Sequence, residues 1–278
     1  MQYDVVVIGA GHAGCEAASA AARLGSRTLL VTIDLEKIAS MSCNPAVGGV
    51  AKGQIVREID ALGGMMGRIT DKTAIQFRML NRSKGAAMWS PRAQCDKAAF
   101  SREWRHTLEN TQRLYLWQDS VTEILLDHSG EKPRVRGVKT RMGVEIGCSR
   151  VVLTAGTFLD GVMHCGEAQA EGGRAGDQAS HGITAQLVGL GFEQGRMKTG
   201  TPARLDARTI NFDALEIQEG DAEPSKFSYD ADTQVVKHQL PCFMVYTSKR
   251  VHDILRTGFD RSPLFNGTIS GIGNQFRS

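Results

Sequence analysis

The amino-terminal part of the chain alternates short β-branched runs with longer alanine-rich or amphipathic segments, which predicts an α/β fold. Residues 3–8 are predicted as a buried parallel strand, residues 13–24 as a helix closed by Gly25, and residues 27–32 as the next strand. A strand, a helix and a second strand within about 30 residues have the size of one βαβ unit.

Further helices are predicted over residues 50–62 and 97–110, and further strands over residues 114–126, 135–141 and 150–154. The alternation of strands with helices favours a Rossmann-like parallel sheet with helices on its faces.

The apolar runs become sparse towards the carboxyl end, where an acidic segment and a mixed tail follow. We therefore place a domain boundary near Lys198. Residues 1–197 are expected to form the Rossmann-like domain, and residues 198–278 part of a second, inserted domain.

Composition alone excludes little, because 41% hydrophobic and 23% charged residues are ordinary for a globular protein and the net charge is only +3. The charges are unevenly distributed. Residues 68–105 hold nine Lys and Arg against three Asp and Glu, a local charge of +6, and residues 213–232 hold seven acids against one lysine, a local charge of −6. Each run by itself is typical of a solvated face.

The six cysteines are scattered without a C-x-x-C pair, which predicts neither a disulfide framework nor a zinc site. That usage suits a reducing compartment. No apolar run approaches the roughly 18 residues that span a membrane, and no secretory or transit pattern precedes the first strand. We expect a cytoplasmic protein without a metal site or a membrane segment.

A glycine-rich turn with the pattern G-x-G-x-x-G joins the first strand to the first helix, which is the context that dinucleotide binding requires. The first glycine permits the tight turn, the second lets a pyrophosphate approach the backbone, and the third lets the helix pack on the strand. The helix N-terminus supplies free N–H groups for phosphate. The predicted cofactor-binding residues are Gly9, Ala10, Gly11, His12, Ala13 and Gly14.

Two features refine this prediction. Thr32 ends the second strand where an acid usually contacts the ribose, and Asp34 and Glu36 follow it, so either acid is a candidate. The later strand at residues 151–154 runs into Ala155 and Gly156, a turn typical of flavoproteins, although a plain strand-to-loop glycine has the same pattern. Together with the first turn it favours FAD over NAD as the tightly bound cofactor.

The segment S-C-N-P-A-V-G-G at residues 42–49 is the most specific of the chain. Asn44 and Pro45 favour a turn, and the helix predicted from residue 50 follows. A thiol near helix N–H groups is activated as a nucleophile, so Cys43 is the predicted catalytic residue. The alternative is a cysteine that serves as a small buried hydrophobe.

The chain resembles the MnmG (GidA) family of tRNA uridine 5-carboxymethylaminomethyl modification enzymes. The shared strings are G-A-G-H-A-G, S-C-N-P-A-V-G-G, D-A-L-G-G, N-R-S-K-G, R-A-Q, V-L-T-A-G-T-F-L-D-G, G-G-R-A-G-D, K-T-G-T-P-A-R and D-R-S-P, in one register to about Gly273.

The resemblance implies an FAD enzyme that adds a carboxymethylaminomethyl group at C5 of the wobble uridine of tRNA. It implies FAD contacts at residues 9–14, Val121 and Ser180, and an essential cysteine at Cys43. NADH would reduce the flavin, on the side of the inserted domain, and methylenetetrahydrofolate would donate one carbon. The implied partners are tRNA, a GTPase and, at full length, a second copy of the chain.

With tRNA as the implied substrate, the basic segment at residues 68–105 becomes a candidate RNA contact, because Phe77, Trp89, Phe100 and Trp104 are interleaved with its cations. A solvated helix face with core aromatic residues is the alternative interpretation of the same segment.

The end of the sequence departs from the family, which continues G-P-R-Y-C-P-S where Asn274 to Ser278 stand here, so that Arg277 takes the place of a second essential cysteine. We expect a chain truncated after about Gly273. One alternative is an inactive flavin- or tRNA-binding module. Another is a different FAD-dependent tRNA uracil-modifying oxidoreductase, such as the folate-dependent uracil methyltransferase, which the S-C-N-P-A-V-G-G segment argues against.

Overall fold

The computed structural model describes residues 1–269 and 272–273. The chain divides into two compact units, Met1–Gly156 with Gln218–Cys242, and Thr157–Ile217 with Phe243–Ser278. These units differ from the boundary expected near Lys198, because the chain leaves the first unit after Gly156 and a later segment returns to it. The functional division into residues 1–197 and 198–278 stays a prediction.

The first unit is built around two sheets and the helices that pack on them. Its strands are β1 (Gln2–Ile8), β2 (Thr28–Thr32), β3 (Ala46–Gly48), β4 (Ala74–Leu80), β5 (Ser90–Cys95), β6 (Leu114–Gln118), β7 (Val121–Asp127), β8 (Arg134–Thr140) and β9 (Glu145–Leu153). Its helices are α1 (His12–Arg23), α2 (Lys52–Ala61), α3 (Met66–Thr73) and α4 (Lys97–Glu109).

The main sheet has six strands in the order β6-β2-β1-β9-β8-β7. The first four are parallel, as predicted, whereas β8 is antiparallel to both β9 and β7. The chain leaves β1 through α1 to reach β2 on one side, while β9 occupies the other side. The carboxyl end of β1 is therefore a point where ligands bind in open α/β sheets.

Helix packing follows from side-chain size and spacing. The buried face of α1 consists of Gly14, Cys15, Ala18, Ser19 and Ala22, so this helix approaches the sheet closely. The buried face of α4 carries Phe100, Trp104 and Leu108 at a spacing of four residues. The α/β class predicted from the sequence is confirmed.

The structure differs from the sequence prediction in several places, including the unpredicted helix α3 and the start of β9 at Glu145 rather than at residue 150. The strand expected over residues 114–126 is two strands, β6 and β7, because Asp119 and Ser120 interrupt it. There the Asp119 amide donates to the Thr32 carbonyl (2.9 Å). A second, antiparallel sheet of order β3-β5-β4 was not predicted. Pro91 and Arg92 within β5 and Arg78 within β4 obscure the strand pattern.

The segment Gln218–Cys242 covers the second sheet. The amides of Asp221 and Leu240 donate to the carbonyls of Phe77 (2.9 Å) and Ile75 (2.8 Å) along β4. The ring of Phe227 is fully buried and lies 6.0 Å from the ring of Phe77. Residues far apart in sequence thus complete one hydrophobic core.

The second unit is built from short elements. They are β10 (Val162–Cys165), β11 (Ala168–Glu171), α5 (Ile183–Gly189), β12 (Met197–Lys198), β13 (Glu216–Gln218), β14 (Cys242–Met244), α6 (Lys249–Arg256) and β15 (Ile272–Gly273), of which β13 and β14 extend into the first unit. Strands β10 and β11 form a hairpin, and β12 pairs in parallel with β15. Every helix within residues 1–269 is too short or too polar to span a bilayer.

Candidate functional site

The turn between β1 and α1 requires glycine at its first and last positions. Gly9 has φ +98°, and a Cβ there would lie 2.6 Å from the carbonyl oxygen of Thr154. A Cβ on Gly14 would lie 1.8 Å from the carbonyl oxygen of Gly9. Both contacts are closer than packed atoms allow, so the chain can pass here only without side chains.

Gly11 differs from these two glycines, because a Cβ built on it meets no atom within 4 Å. It precedes the first residue of α1, where the leading N–H groups have no intrahelical partner. Open space before a helix N-terminus is the arrangement that accepts a phosphate group.

Thr154 fixes the turn from the neighbouring strand. Its hydroxyl lies 2.9 Å from the carbonyl oxygens of both Ile8 and Gly9, and its amide donates to Ile8 (2.9 Å). The sequence predicted a cofactor-proximal turn after β9, but it did not predict that Thr154 would hold the glycine-rich turn in place. Its position at the end of a strand beside β1 is the signal that could have identified it.

A cleft of about 530 Å³ lies beside this turn. His12 of the glycine-rich motif and residues of the S-C-N-P-A-V-G-G segment line the same cleft, which the sequence alone could not show. Its lining residues are His12, Asn44, Ala46, Val47, Gly48, Gly49, Val50, Lys52, Val56, Met66, Leu80 and Arg92. Lys52 and Arg92, which the sequence reasoning did not select, give the cleft two cations.

The S-C-N-P-A-V-G-G segment has a defined local geometry. The side-chain oxygen of Asn44 accepts from the Ala46 amide (3.2 Å), and β3 then pairs with β5. Gly48 has φ +82°, and a Cβ there would lie 2.2 Å from the carbonyl oxygen of Pro91 and 2.6 Å from the Phe227 ring. The second sheet therefore sets the shape of this wall of the cleft.

Cys43 is exposed and next to Asn44, which lines the cleft. The helix expected to start just after this segment begins only at Lys52, with β3 between it and the cysteine. In contrast, Cys15 and Cys95 are buried, and burial raises the pKa of both thiols to about 12. Exposure separates Cys43 from these core cysteines and argues against a packing role.

His12 occupies the fourth position of the glycine-rich motif and is half-buried. Its Nε2 lies 3.2 Å from the Ala39 carbonyl oxygen, and its ring meets Phe100 edge to face at 5.6 Å. Burial lowers the pKa of the imidazole, which the bond to Ala39 partly opposes. The neutral ring is therefore the favoured form at neutral pH.

Both acids that follow β2 already have protein partners. The Asp34 carboxylate accepts from the Glu36 amide (2.9 Å) and pairs with Lys37 (3.3 Å). The Glu36 carboxylate pairs with Arg105. Neither acid is singled out as the ribose ligand by these contacts.

The two remaining predicted cofactor contacts, Val121 and Ser180, are not among the residues that line the cleft. Val121 is buried at the start of β7, two residues after Asp119, which is bonded to the end of β2. Ser180 lies in the second unit, where its amide donates to Phe158 (2.8 Å) and its carbonyl accepts from Asp160 (2.9 Å). Their roles stay predictions, and Arg277 lies outside the described residues.

The basic segment at residues 68–105 is partly neutralised by the acidic one. Arg68 pairs with Asp230 (2.7 Å) and Arg82 with Asp221 (2.9 Å). Of the four interleaved aromatic residues, Phe77, Phe100 and Trp104 are buried in the core and only Trp89 is exposed. Base stacking by this segment is therefore restricted to Trp89.

The chain matches the family model for glucose inhibited division protein A over residues 4–278. It is 57% identical over 275 residues to the tRNA uridine 5-carboxymethylaminomethyl modification enzyme MnmG of Flavobacterium johnsoniae, covering 99% of this chain and 44% of that protein. The Bacteroides thetaiotaomicron protein of the same name is 58% identical over 276 residues, with 99% and 43% covered. The chain thus spans less than half the length of these curated relatives.

Solved structures agree with the sequence comparison. Aquifex aeolicus GidA in its form I crystal superimposes with a TM-score of 0.91 at 46% identity, covering 98% of this chain and 46% of that one. A GidA-related protein from Thermus thermophilus gives a TM-score of 0.51 at 25% identity, covering 70% and 71%. The chain therefore belongs to the glucose inhibited division protein A (GidA) family.

Proposed function

We propose that this chain is the flavin-binding part of an enzyme that modifies the wobble uridine of tRNA at C5. The relatives named as tRNA uridine 5-carboxymethylaminomethyl modification enzymes support the reaction class. The observation that carries the proposal is the cleft that is lined both by His12 of the glycine-rich turn and by the segment after Cys43.

The residues of the turn fit a dinucleotide cofactor such as FAD. The open space at Gly11 admits a pyrophosphate, the N–H groups at the start of α1 point to it, and Thr154 holds the turn in shape. When bound, FAD supplies hydride transfer. Val121 and Ser180 are proposed as further FAD contacts on the resemblance alone.

Cys43 is the proposed nucleophile towards the uracil base. Its thiolate sulfur would bond to C6, the C5–C6 double bond would open, and C5 would become the nucleophilic carbon. C5 would then bond to the methylene carbon donated by methylenetetrahydrofolate, as the bond from that carbon to a folate nitrogen breaks and the nitrogen takes a proton. Loss of the C5 proton to a base and of the sulfur from C6 would restore the double bond. Lys52 and Arg92, at the cleft, would hold anionic groups of the cofactor or the RNA.

The finer roles are proposed from the family resemblance. NADH would reduce the flavin, methylenetetrahydrofolate would supply a carbon, and a GTPase and a second copy of the chain would complete the cytoplasmic assembly. The runner-up is an inactive flavin- or tRNA-binding module.

The test separates binding from activity. The 278-residue chain is mixed with FAD, passed through a desalting column and examined for flavin absorbance. In parallel, a fusion of this chain to the remaining segments of a curated relative is expressed in cells that lack their own enzyme. Modified wobble uridine, measured by mass spectrometry of tRNA nucleosides, supports the enzyme, whereas retained flavin without modification favours the inactive module.

A further inference from the structure

We propose that His12 is a positioning residue that ties the glycine-rich turn to the segment bearing Cys43, so that occupancy of the turn and the reactivity of this exposed thiol are coupled. This inference rests on the proposed function for the identity of the ligand, but the tie itself concerns only contacts within the first unit.

The tie is centred on Ala39. Its amide donates to the Ala10 carbonyl (2.8 Å), and its carbonyl oxygen lies 3.2 Å from Nε2 of His12. Both hydrogen-bonding groups of one residue are therefore used by the same glycine-rich turn. Ala39 is fully buried, so each of these bonds replaces water that is absent there.

Ala39 also needs this support, because its φ is +50°. The left-handed region is disfavoured for any residue with a Cβ, and such a conformation persists only where its surroundings hold it. If the bond to His12 is lost, Ala39 is expected to relax, and Cys43 lies only four residues further along the chain.

The ring of His12 is fixed on its other side by the buried Phe100, which it meets edge to face. The imidazole thus cannot turn away from Ala39 without disturbing the core. His12 also lines the cleft, and its own amide belongs to the first turn of α1. A ligand on the turn and the segment after Ala39 therefore act on the same side chain.

Linkage makes the coupling reciprocal. If a flavin on the turn shifts the conformational equilibrium of the segment bearing Cys43, then a change that shifts this equilibrium must alter flavin affinity by the same factor. A variant that breaks the tie should remove both effects together.

The experiment measures alkylation of individual cysteines by iodoacetamide, followed by peptide mass spectrometry, in the flavin-free 278-residue chain. His12→Phe keeps the ring against Phe100 but loses the donor, and His12→Gln keeps an Nε2 donor. Cys165, exposed in the second unit, is the internal reference, and the buried Cys15 and Cys95 report unfolding. His128→Phe is the matched control.

We expect His12→Phe to change the alkylation rate of Cys43 relative to Cys165 by up to about fivefold, the equivalent of one net hydrogen bond, because the surroundings of the exposed thiol change. His12→Gln should restore the original ratio. An unchanged ratio, or an equal rise at Cys15 and Cys95, would overturn the proposal. Repeating the measurement with FAD should change Cys43 reactivity in the unaltered chain but not in His12→Phe. Failure of the unaltered chain to retain flavin would count against the proposed function instead, because the flavin-free comparison is independent of it.

Discussion

The hydroxyl of Thr154 lies 2.9 Å from the carbonyl oxygen of Gly9 and so fastens the glycine-rich turn to the end of β9. Thr154→Val keeps the shape of the side chain but removes the donor. We expect the free energy of unfolding to fall by about 1 kcal/mol and flavin retention to weaken. Thermal melting and flavin titration measure the two effects. The control is Thr122→Val, whose hydroxyl makes only a long bond to Lys139 (3.4 Å), and equal behaviour of the two variants would contradict the role of Thr154.

Two of the three glycines of the turn, Gly11 and Gly14, predict opposite outcomes for one substitution. Gly11→Val should fold normally, because nothing lies within 4 Å of its Cβ position, yet lose flavin because the side chain fills the pyrophosphate space. Gly14→Val should lower the melting temperature, since even its Cβ would lie 1.8 Å from the Gly9 oxygen. Equal flavin absorbance of Gly11→Val and the unaltered chain after desalting would exclude the turn as the flavin site.

Cys43→Ser should abolish uridine modification while leaving flavin bound, because serine keeps the size but offers no accessible anion near neutral pH. The assay uses the fusion to a curated relative described above. Cys165→Ser, at the other exposed cysteine, is the control and should keep activity. Substantial modified uridine from the Cys43→Ser fusion would return this cysteine to a structural role.

The basic segment at residues 68–105 contains cations that pair with the acidic segment, such as Arg82 with Asp221, and others such as Lys84 that are not in these pairs. Lys84→Glu should weaken tRNA binding and reduce the salt slope by about 1, if this lysine neutralises one phosphate. Arg82→Glu should in addition lower thermal stability, because it places a carboxylate against Asp221. Filter binding at several salt concentrations provides the slope, and Lys132→Glu, outside the segment, is the control. A salt slope unaffected by Lys84→Glu would assign the segment to a solvated face.

The lowered pKa of His12 predicts a pH dependence of stability. The unfolded chain binds a proton near the ordinary value of 6.5 and the folded chain only at lower pH, so the free energy of unfolding falls as pH drops below 6.5. The slope from this group is at most about 1.4 kcal/mol per pH unit. His12→Gln should remove it. Denaturation of the unaltered chain and of His12→Gln is compared at pH 7 and pH 5. The difference between them cancels the contributions of other groups to the pH dependence, including Glu16, whose pKa is raised by burial.

Much of the first unit could be predicted from sequence, since β1, α1, β2, α2 and α4 begin and end within two residues of the expected positions. Their patterns are local, because a β-branched run, a glycine-rich turn or an amphipathic helix can be recognised from a short stretch of sequence alone. The second sheet could not be predicted from sequence, because Arg78, Pro91 and Arg92 interrupt the apolar pattern of its strands. The residues that cover it come much later in the chain.

The sequence predicted the glycine-rich turn and the S-C-N-P-A-V-G-G segment as two separate motifs, but it did not predict that they contribute to one cleft. The spacing of the glycines predicts dinucleotide binding at the turn from sequence alone. The proximity of His12 to the S-C-N-P-A-V-G-G segment depends on how β3 and the other residues of the cleft fold together. The roles of Thr154 and Ala39 likewise depend on tertiary contacts that a sequence pattern does not show. Thr154 bonds through its hydroxyl to the Gly9 carbonyl, and Ala39 bonds through its backbone to Ala10 and His12.

The segment Gln218–Cys242 completes the hydrophobic core of the first unit, so we expect a large loss of stability when Phe227 is truncated. Phe227→Ala should destabilise the chain by about 3–5 kcal/mol, since a fully buried ring against Gly48 and Phe77 would be replaced by a cavity. Tyr229→Ala is the matched control, because that ring is 68% exposed and should cost less than about 1 kcal/mol. Chemical denaturation measures both, and similar losses would show that Phe227 does not anchor the segment.

The return of Gln218–Cys242 to the first unit also sets an order of events during synthesis. The edge of β4 that accepts from Asp221 and Leu240 stays unpaired until those residues leave the ribosome. An open strand edge beside an incomplete hydrophobic core is a site where nascent chains associate. We therefore expect ribosome-bound chains that end before Asp221 to require chaperone protection, which chains extended beyond Cys242 no longer need.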